Sequence, residues 1–123
     1  MTTTKLKVRA TSRLVLEASL PLYNTALQQQ YIDAIDFSET SRLLYDMKLN
    51  FPLITEVIKL RKQGIRYFLN ESLMLHHIQQ VVILGAGLDP LSLYLLENYP
   101  QLRNIIEVDN GYIEEKKRIY DHI

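Results

Sequence analysis

Four consecutive apolar residues, Val81-Val82-Ile83-Leu84, run directly into Gly85-Ala86-Gly87, and no other stretch constrains the fold of this chain as tightly. Three of the four are β-branched. Such a run suits a strand covered on both faces, as in a parallel sheet. Glycine at its end allows a tight turn and lets backbone approach a ligand, because no Cβ intervenes. Asp89-Pro90 then reads as an N-cap followed by the first helical residue. Leu91, Tyr94 and Leu95 give that helix an apolar face, and Pro100 closes it. A second strand is predicted at Ile105-Ile106-Glu107-Val108, a turn at Asp109-Asn110-Gly111, and a helix over Tyr112 to His122 with Glu114 four residues before Arg118. The 20 positions from 85 to 104 accommodate one right-handed βαβ crossover.

Upstream of residue 80 the pattern is helical. Ser12 is a candidate cap for a helix carrying Leu14, Val15, Leu16 and Ala18, ended or kinked by Pro21. Asp36 and Glu39 have capping-box spacing ahead of Arg42 to Met47. Pro52 suits a first helical turn, and Ile54, Val57, Ile58, Ile65, Phe68 and Leu69 recur near helical period, with Gly64 a possible break between two helices. A further short helix is expected around Leu73 to Ile78. The reading is therefore α/β: a helical amino-terminal cap over residues 1–80, then the start of a cofactor-binding domain over 81–123.

Charge and composition exclude several classes. Lys plus Arg and Asp plus Glu both number 14, so the net charge is zero and nothing suggests a polyanion partner such as nucleic acid. With 0 cysteines there is no disulfide, thiolate metal site or cysteine nucleophile. No metal site is expected: adjacent His76 and His77 point apart on a helix and read as structural or surface residues. No apolar run reaches the roughly 18–20 residues of a membrane helix, and no signal peptide is evident, so the expectation is a cytoplasmic protein. Lys5, Lys7, Arg9 and Arg13 read as a solvated basic tail, Lys116-Lys117-Arg118 as a solvated helix face, and the eight tyrosines as core or rim residues.

In a βαβ unit the first turn, the following helix start and a carboxylate at the end of the second strand share one crevice. Asp109 lies 24 positions after Gly85, suitable for ribose hydroxyls. Glu107, two positions earlier on the same strand face, is a second candidate; inside an apolar strand it requires a partner, a sheet edge or a ligand. A dinucleotide fingerprint wants a third glycine where Pro90 stands, which disfavours a pyrophosphate and a dehydrogenase. The same strand–glycine turn serves S-adenosylmethionine, which has no phosphate.

Val81 to Asp89 resembles the first motif of the leucine carboxyl methyltransferase family. Ile106-Glu107-Val108-Asp109 resembles its second-strand motif, Lys116-Lys117-Arg118 the basic start of its next helix, and Gly64-Ile65-Arg66-Tyr67-Phe68 its segment before the first strand. The resemblance implies the Rossmann-like sheet of a class I methyltransferase, S-adenosylmethionine as cofactor, and methyl transfer to an oxygen or carboxylate acceptor. It implies Arg66 as the clamp on the cofactor's carboxylate, with Gly85, Ala86, Gly87, Asp89, Glu107 and Asp109 completing the binding set. No catalytic base is assigned. Where the family commonly has a Thr-Arg pair and a further Arg, this chain has Pro90, Leu91 and Tyr94; where it commonly has Pro, this chain has Gly111. The family's later strands would follow Ile123. The expectation is thus the first part of such a fold, inactive by itself and completed as a homodimer or by a complementary chain. The alternative is a non-enzymatic helical interaction module with a degenerate βαβ remnant.

Overall fold

The computed structural model describes residues 6–7 and 10–123. The elements run β1 (Leu6–Lys7), α1 (Ala10–Ser19), α2 (Ala26–Asp33), β2 (Ile35–Asp36), α3 (Ser41–Asn50), α4 (Ile54–Leu75), β3 (Gln80–Leu84), α5 (Leu91–Asn98), β4 (Asn104–Val108) and α6 (Ile113–His122). The fold is mixed α/β with small parallel sheets.

Local chemistry explains most boundaries. Pro21 closes α1 in a 3-10 turn, Leu20–Leu22. Thr25 and Gln28 form a reciprocal capping box at the start of α2, with Thr25 Oγ1 accepting from Gln28 N and Gln28 Oε1 accepting from Thr25 N, both at 3.2 Å. The box expected at Asp36 and Glu39 does not start α3. Asp36 Oδ1 instead accepts from Ser38 N at 2.9 Å, stabilising a 3-10 turn that delays the helix to Ser41. Ser12 is inside α1 rather than at its cap. Gly64 does not divide α4, which is one 22-residue helix; an interior glycine costs only about 1 kcal/mol, which the other residues outweigh. The short helix expected at Leu73 to Ile78 is the end of α4, after which His76 turns extended.

The basic tail is corrected in part. Lys5 and Arg9 lie outside the described residues. Lys7 belongs to β1, which pairs in parallel with β2 in the register Leu6↔Ile35 and Lys7↔Asp36. Arg13 is a staple between α1 and the start of α3. Its Nη1 donates to Phe37 O at 2.5 Å, Thr40 Oγ1 at 3.1 Å and Ser41 Oγ at 2.9 Å, and its guanidinium lies over the Phe37 ring.

β3 and β4 are parallel, in register from Gln80↔Asn104 to Leu84↔Val108, and α5 lies in the crossover. Burial alternates along both strands. Val81, Ile83, Ile105 and Glu107 are half-covered, whereas Val82, Leu84, Ile106 and Val108 are exposed, Leu84 to 77%. The expectation of cover on both faces therefore fails for one face. α5 packs on β4, and the same chain supplies no second layer among the described residues.

The core lies at the carboxyl end of the sheet. Leu16, Tyr23, Tyr31, Ile32, Ile35, Leu88 and Leu93 form one buried cluster. It draws α1, α2, β2 and α5 onto the loop that follows β3. Each fully buried large side chain contributes roughly 1.5–3 kcal/mol, so this cluster anchors the loop and fixes the shape of the site.

Candidate functional site at the glycine turn

Gly85 and Gly87 both have positive φ, 65° and 55°. An L side chain in that region costs roughly 1–2 kcal/mol. A Cβ at either position would meet nothing within 4 Å, so the space beside the turn is open. Gly85 N donates to Val108 O at 2.7 Å, carrying the parallel ladder one step past the strand. Ala86 is buried, and its carbonyl accepts from Asp89 N at 3.3 Å. The two turns are joined by one carboxylate: Asp109 Oδ2 accepts from Gly87 N at 2.8 Å, and Oδ1 from Gly111 N at 2.9 Å. The donated N–H groups of Gly111 and Gly87 hold the Asp109 carboxyl below the usual carboxylate range. Each oxygen keeps a lone pair for a further donor.

Asp89 does not cap α5. The helix begins at Leu91 behind Pro90, and no side chain caps it. The Asp89 carboxylate points instead into the helical region. Tyr23 Oη donates to its Oδ1, and Lys62 Nζ stands 3.0 Å from its Oδ2, an ion pair rather than an aligned hydrogen bond. Burial first, and the Asp89 charge second, push the Tyr23 hydroxyl far above its ordinary range, so it stays a proton donor. Tyr31 Oη likewise donates to Leu88 O at 2.5 Å, which fixes the loop from beneath.

Glu107 has found a protein partner. Lys116 Nζ pairs with its Oε1 and also donates to Asp89 O at 3.0 Å. Lys116 is only 2% exposed, so the solvated face expected at Lys116-Lys117-Arg118 is limited to the latter two residues. The reason is position: Lys116 lies one turn into α6 on the side that meets the covered face of the sheet. Buried, it must be paired.

Arg66 is held by α4 at a different depth from a surface ion pair. Nη1 donates to Leu22 O at 3.0 Å. The guanidinium carbon lies 3.8 Å from the Tyr94 ring centroid and 5.1 Å from that of Tyr23. Nη2 is buried and makes no hydrogen bond of good geometry, the Tyr23 hydroxyl being the polar group close enough to interact with the guanidinium. Tyr94, a departure from the resembled pattern, thus supplies a stacking platform for the arginine. Asn70 anchors that platform, accepting from Tyr94 Oη at 3.0 Å and from Tyr99 Oη.

All seven residues singled out in the sequence fall in one connected region. Gly85, Ala86, Gly87 and Asp109 form its turn, Asp89 and Glu107 are bridged by Lys116, and Tyr23 links Asp89 to Arg66. Sequence reasoning missed Tyr23, Lys62 and Lys116. Lys62, Arg66 and Asn70 carried a usable signal, a spacing of four that sets them on one face of α4. Tyr23 carried none, since its partner is 66 positions away. His76 and His77 lie beyond α4 at the opposite end of β3. Among the described residues no cluster of three or more His, Cys, Asp or Glu could hold a metal ion, and no helix is long and apolar enough to cross a membrane.

No curated protein and no solved structure matches the chain. A family model does, over residues 10–120, a span that includes the glycine turn, Arg66, Asp109 and the amino-terminal helices that pack on them. On that match the chain belongs to the leucine carboxyl methyltransferase family.

Proposed function

We propose that this chain carries the S-adenosylmethionine site of a carboxyl or other oxygen methyltransferase, built on the opening strands of a Rossmann-like sheet. The observation that carries the reading is Arg66: a half-buried arginine stacked on Tyr94, whose buried Nη2 has no hydrogen bond of good geometry. A desolvated spare donor is costly unless an anion meets it, and the planar fork suits a carboxylate. The open space at Gly85 and Gly87 fits close approach of a ligand, and Asp109 offers outward lone pairs to ribose hydroxyls. Glu107 is engaged by Lys116, which favours Asp109 for that role.

When bound, the cofactor supplies a methyl group activated on a cationic sulfur. The residues of this chain bind and orient. Arg66 takes the carboxylate, Asp109 the ribose, and Ala86 and Gly87 border the ligand with backbone. Asp89 shapes the loop through Tyr23, Lys62 and Lys116. A carboxylate acceptor is already a nucleophile, so this reading needs no general base and rests on positioning.

Titration calorimetry with S-adenosylmethionine and S-adenosylhomocysteine tests it. One-to-one binding is expected, weakened by roughly 1–3 kcal/mol in Asp109→Ala, the scale of a lost charge-assisted hydrogen bond. Arg66→Lys should lose nearly as much as Arg66→Ala, because a point charge cannot reproduce the fork. Absence of binding by a folded chain removes the cofactor reading and leaves the interaction module. Full recovery by lysine removes the clamp.

A further inference from the structure

α4 packs inward through a face that combines polar side chains with the buried Leu73, and bares a second, mostly apolar stripe. Lys62, Arg66 and Asn70 point inward to Asp89, Leu22 and the tyrosines of α5. Around the opposite side, Leu53 (just before the first turn), Val57, Leu60, Tyr67, Phe68 and Leu75 are each more than half exposed. At 100° per residue these positions fall in one stripe, and Gly64 stands in its middle. An interior glycine weakens a helix by about 1 kcal/mol relative to alanine, and here no neighbour in the chain requires it: a Cβ at 64 would meet nothing within 4 Å.

We propose that this stripe is a homodimer surface in which α4 crosses α4 of a second copy, antiparallel, with Gly64 at the two-fold axis. Two apolar pairs of the stripe are placed symmetrically about that residue. Leu60 and Phe68 lie four positions on either side, and Leu53 and Leu75 lie eleven on either side. Under a two-fold operator Leu60 of one copy meets Phe68 and Tyr67 of the other, Leu53 meets Leu75, and Val57 meets Glu71, an exposed carboxylate in the same stripe that has to stay hydrated or find a cation. Apart from that position the stripe has the self-complementarity an isologous contact demands. The missing Cβ lets the two backbones approach at the crossing, as small residues do at close helix contacts. Arg61 flanks the stripe and falls opposite Phe68 of the second copy, where its guanidinium can stack.

The area agrees. The chain exposes 8375 Å² for a mass of 14.4 kDa. A compact monomer of that mass exposes about 6,800 Å². The excess of about 1,500 Å² is shared between this stripe and the open face of the β3–β4 sheet, and leaves room for the roughly 800 Å² that each partner contributes to a standard interface. A second copy is favoured over a foreign partner because the stripe complements itself about one residue.

The test uses the 123-residue chain and its lack of cysteine. Gly64→Cys places a single thiol at the proposed axis, where two copies come within the 4.4–6.8 Å Cα separation a disulfide needs. Mild oxidation should trap a covalent dimer rapidly, and far faster than for Leu43→Cys on the exposed part of α3. Separately, Gly64→Leu makes the helix more stable and the surface greasier, yet should raise the dimer dissociation constant by at least about tenfold in sedimentation equilibrium. Three outcomes overturn the proposal. They are a wild-type chain that stays monomeric over the concentration range, equal cross-linking at positions 43 and 64, or unchanged or tighter association of Gly64→Leu. Neither readout depends on cofactor binding, so the dimer and the proposed methyltransferase site fail or stand independently.

Discussion

The two faces of the β3–β4 sheet are made of the same residue types and meet opposite fates. Val81, Ile83, Ile105 and Glu107 face the helices, and even a lysine is fully covered there, because Glu107 and the Asp89 carbonyl satisfy it. Val82, Leu84, Ile106 and Val108 face outward and are exposed. Hydropathy therefore does not decide which face is buried; the presence of an element with a matching surface does. α5 and α6 supply one. The bare face joins the apolar stripe of α4 as the exposed apolar surface of the described residues.

The sharpest way to break this contrast is at its best-buried charge. Lys116→Ala leaves Glu107 covered and unpaired, and should cost about 3–5 kcal/mol in chemical denaturation. The double replacement Glu107→Leu with Lys116→Met removes both charges and should recover much of that loss, since an apolar pair often matches a buried ion pair. A single-variant loss below about 1 kcal/mol is the value of an exposed pair, and would mean that the helix-covered face is wet.

The next contrast compares two leucines. Leu95 is wholly buried on α5, and Leu95→Ala should cost about 2–5 kcal/mol. Leu84, on the open face, should lose no more than about 0.5 kcal/mol when truncated to alanine. Midpoints at constant denaturant slope give both values. If the Leu84→Ala loss grows with protein concentration, association covers the open face; if it matches that of Leu95 at every concentration, the face is not bare.

How much of this was legible in the sequence follows from range. The strands, the glycine turn, the crossover helix and Asp109 were readable because their determinants are neighbours: a β-branched run, a Gly-Ala-Gly, a carboxylate on the next strand end. The role of Arg66 came with the family pattern. The Asp89 cap was misread because its competitors are distant: Tyr23 and Lys62 draw the carboxylate away from the helix start. Lys116 was misread for the same reason, since a charge run looks solvated until a buried partner is placed beside it. The open sheet face was misread because an apolar run reports that cover is suitable, not that the same chain provides it. The Thr25–Gln28 box and the β1–β2 pair were local enough to find, but residues so short in β propensity or span give little periodic signal.

The smallest predicted effect makes the comparison at two glycines. Gly64 and Gly87 both have open space where a Cβ would stand, so sterics with neighbours do not separate them. Backbone conformation does. Gly87 sits at φ 55°, where an L side chain is strained, and alanine there should cost about 1–2 kcal/mol. Gly64 lies inside a regular helix, where alanine relieves the entropy penalty of glycine and should add up to about 1 kcal/mol. Thermal unfolding at dilutions that keep the chain monomeric is the measurement. Opposite signs confirm that position 87 needs glycine for its own conformation. A loss at both positions would mean that Gly64 is already close to something in the monomer. A gain at both would mean that the turn relaxes out of the left-handed region, and the open cradle at the end of β3 would lose its geometric basis.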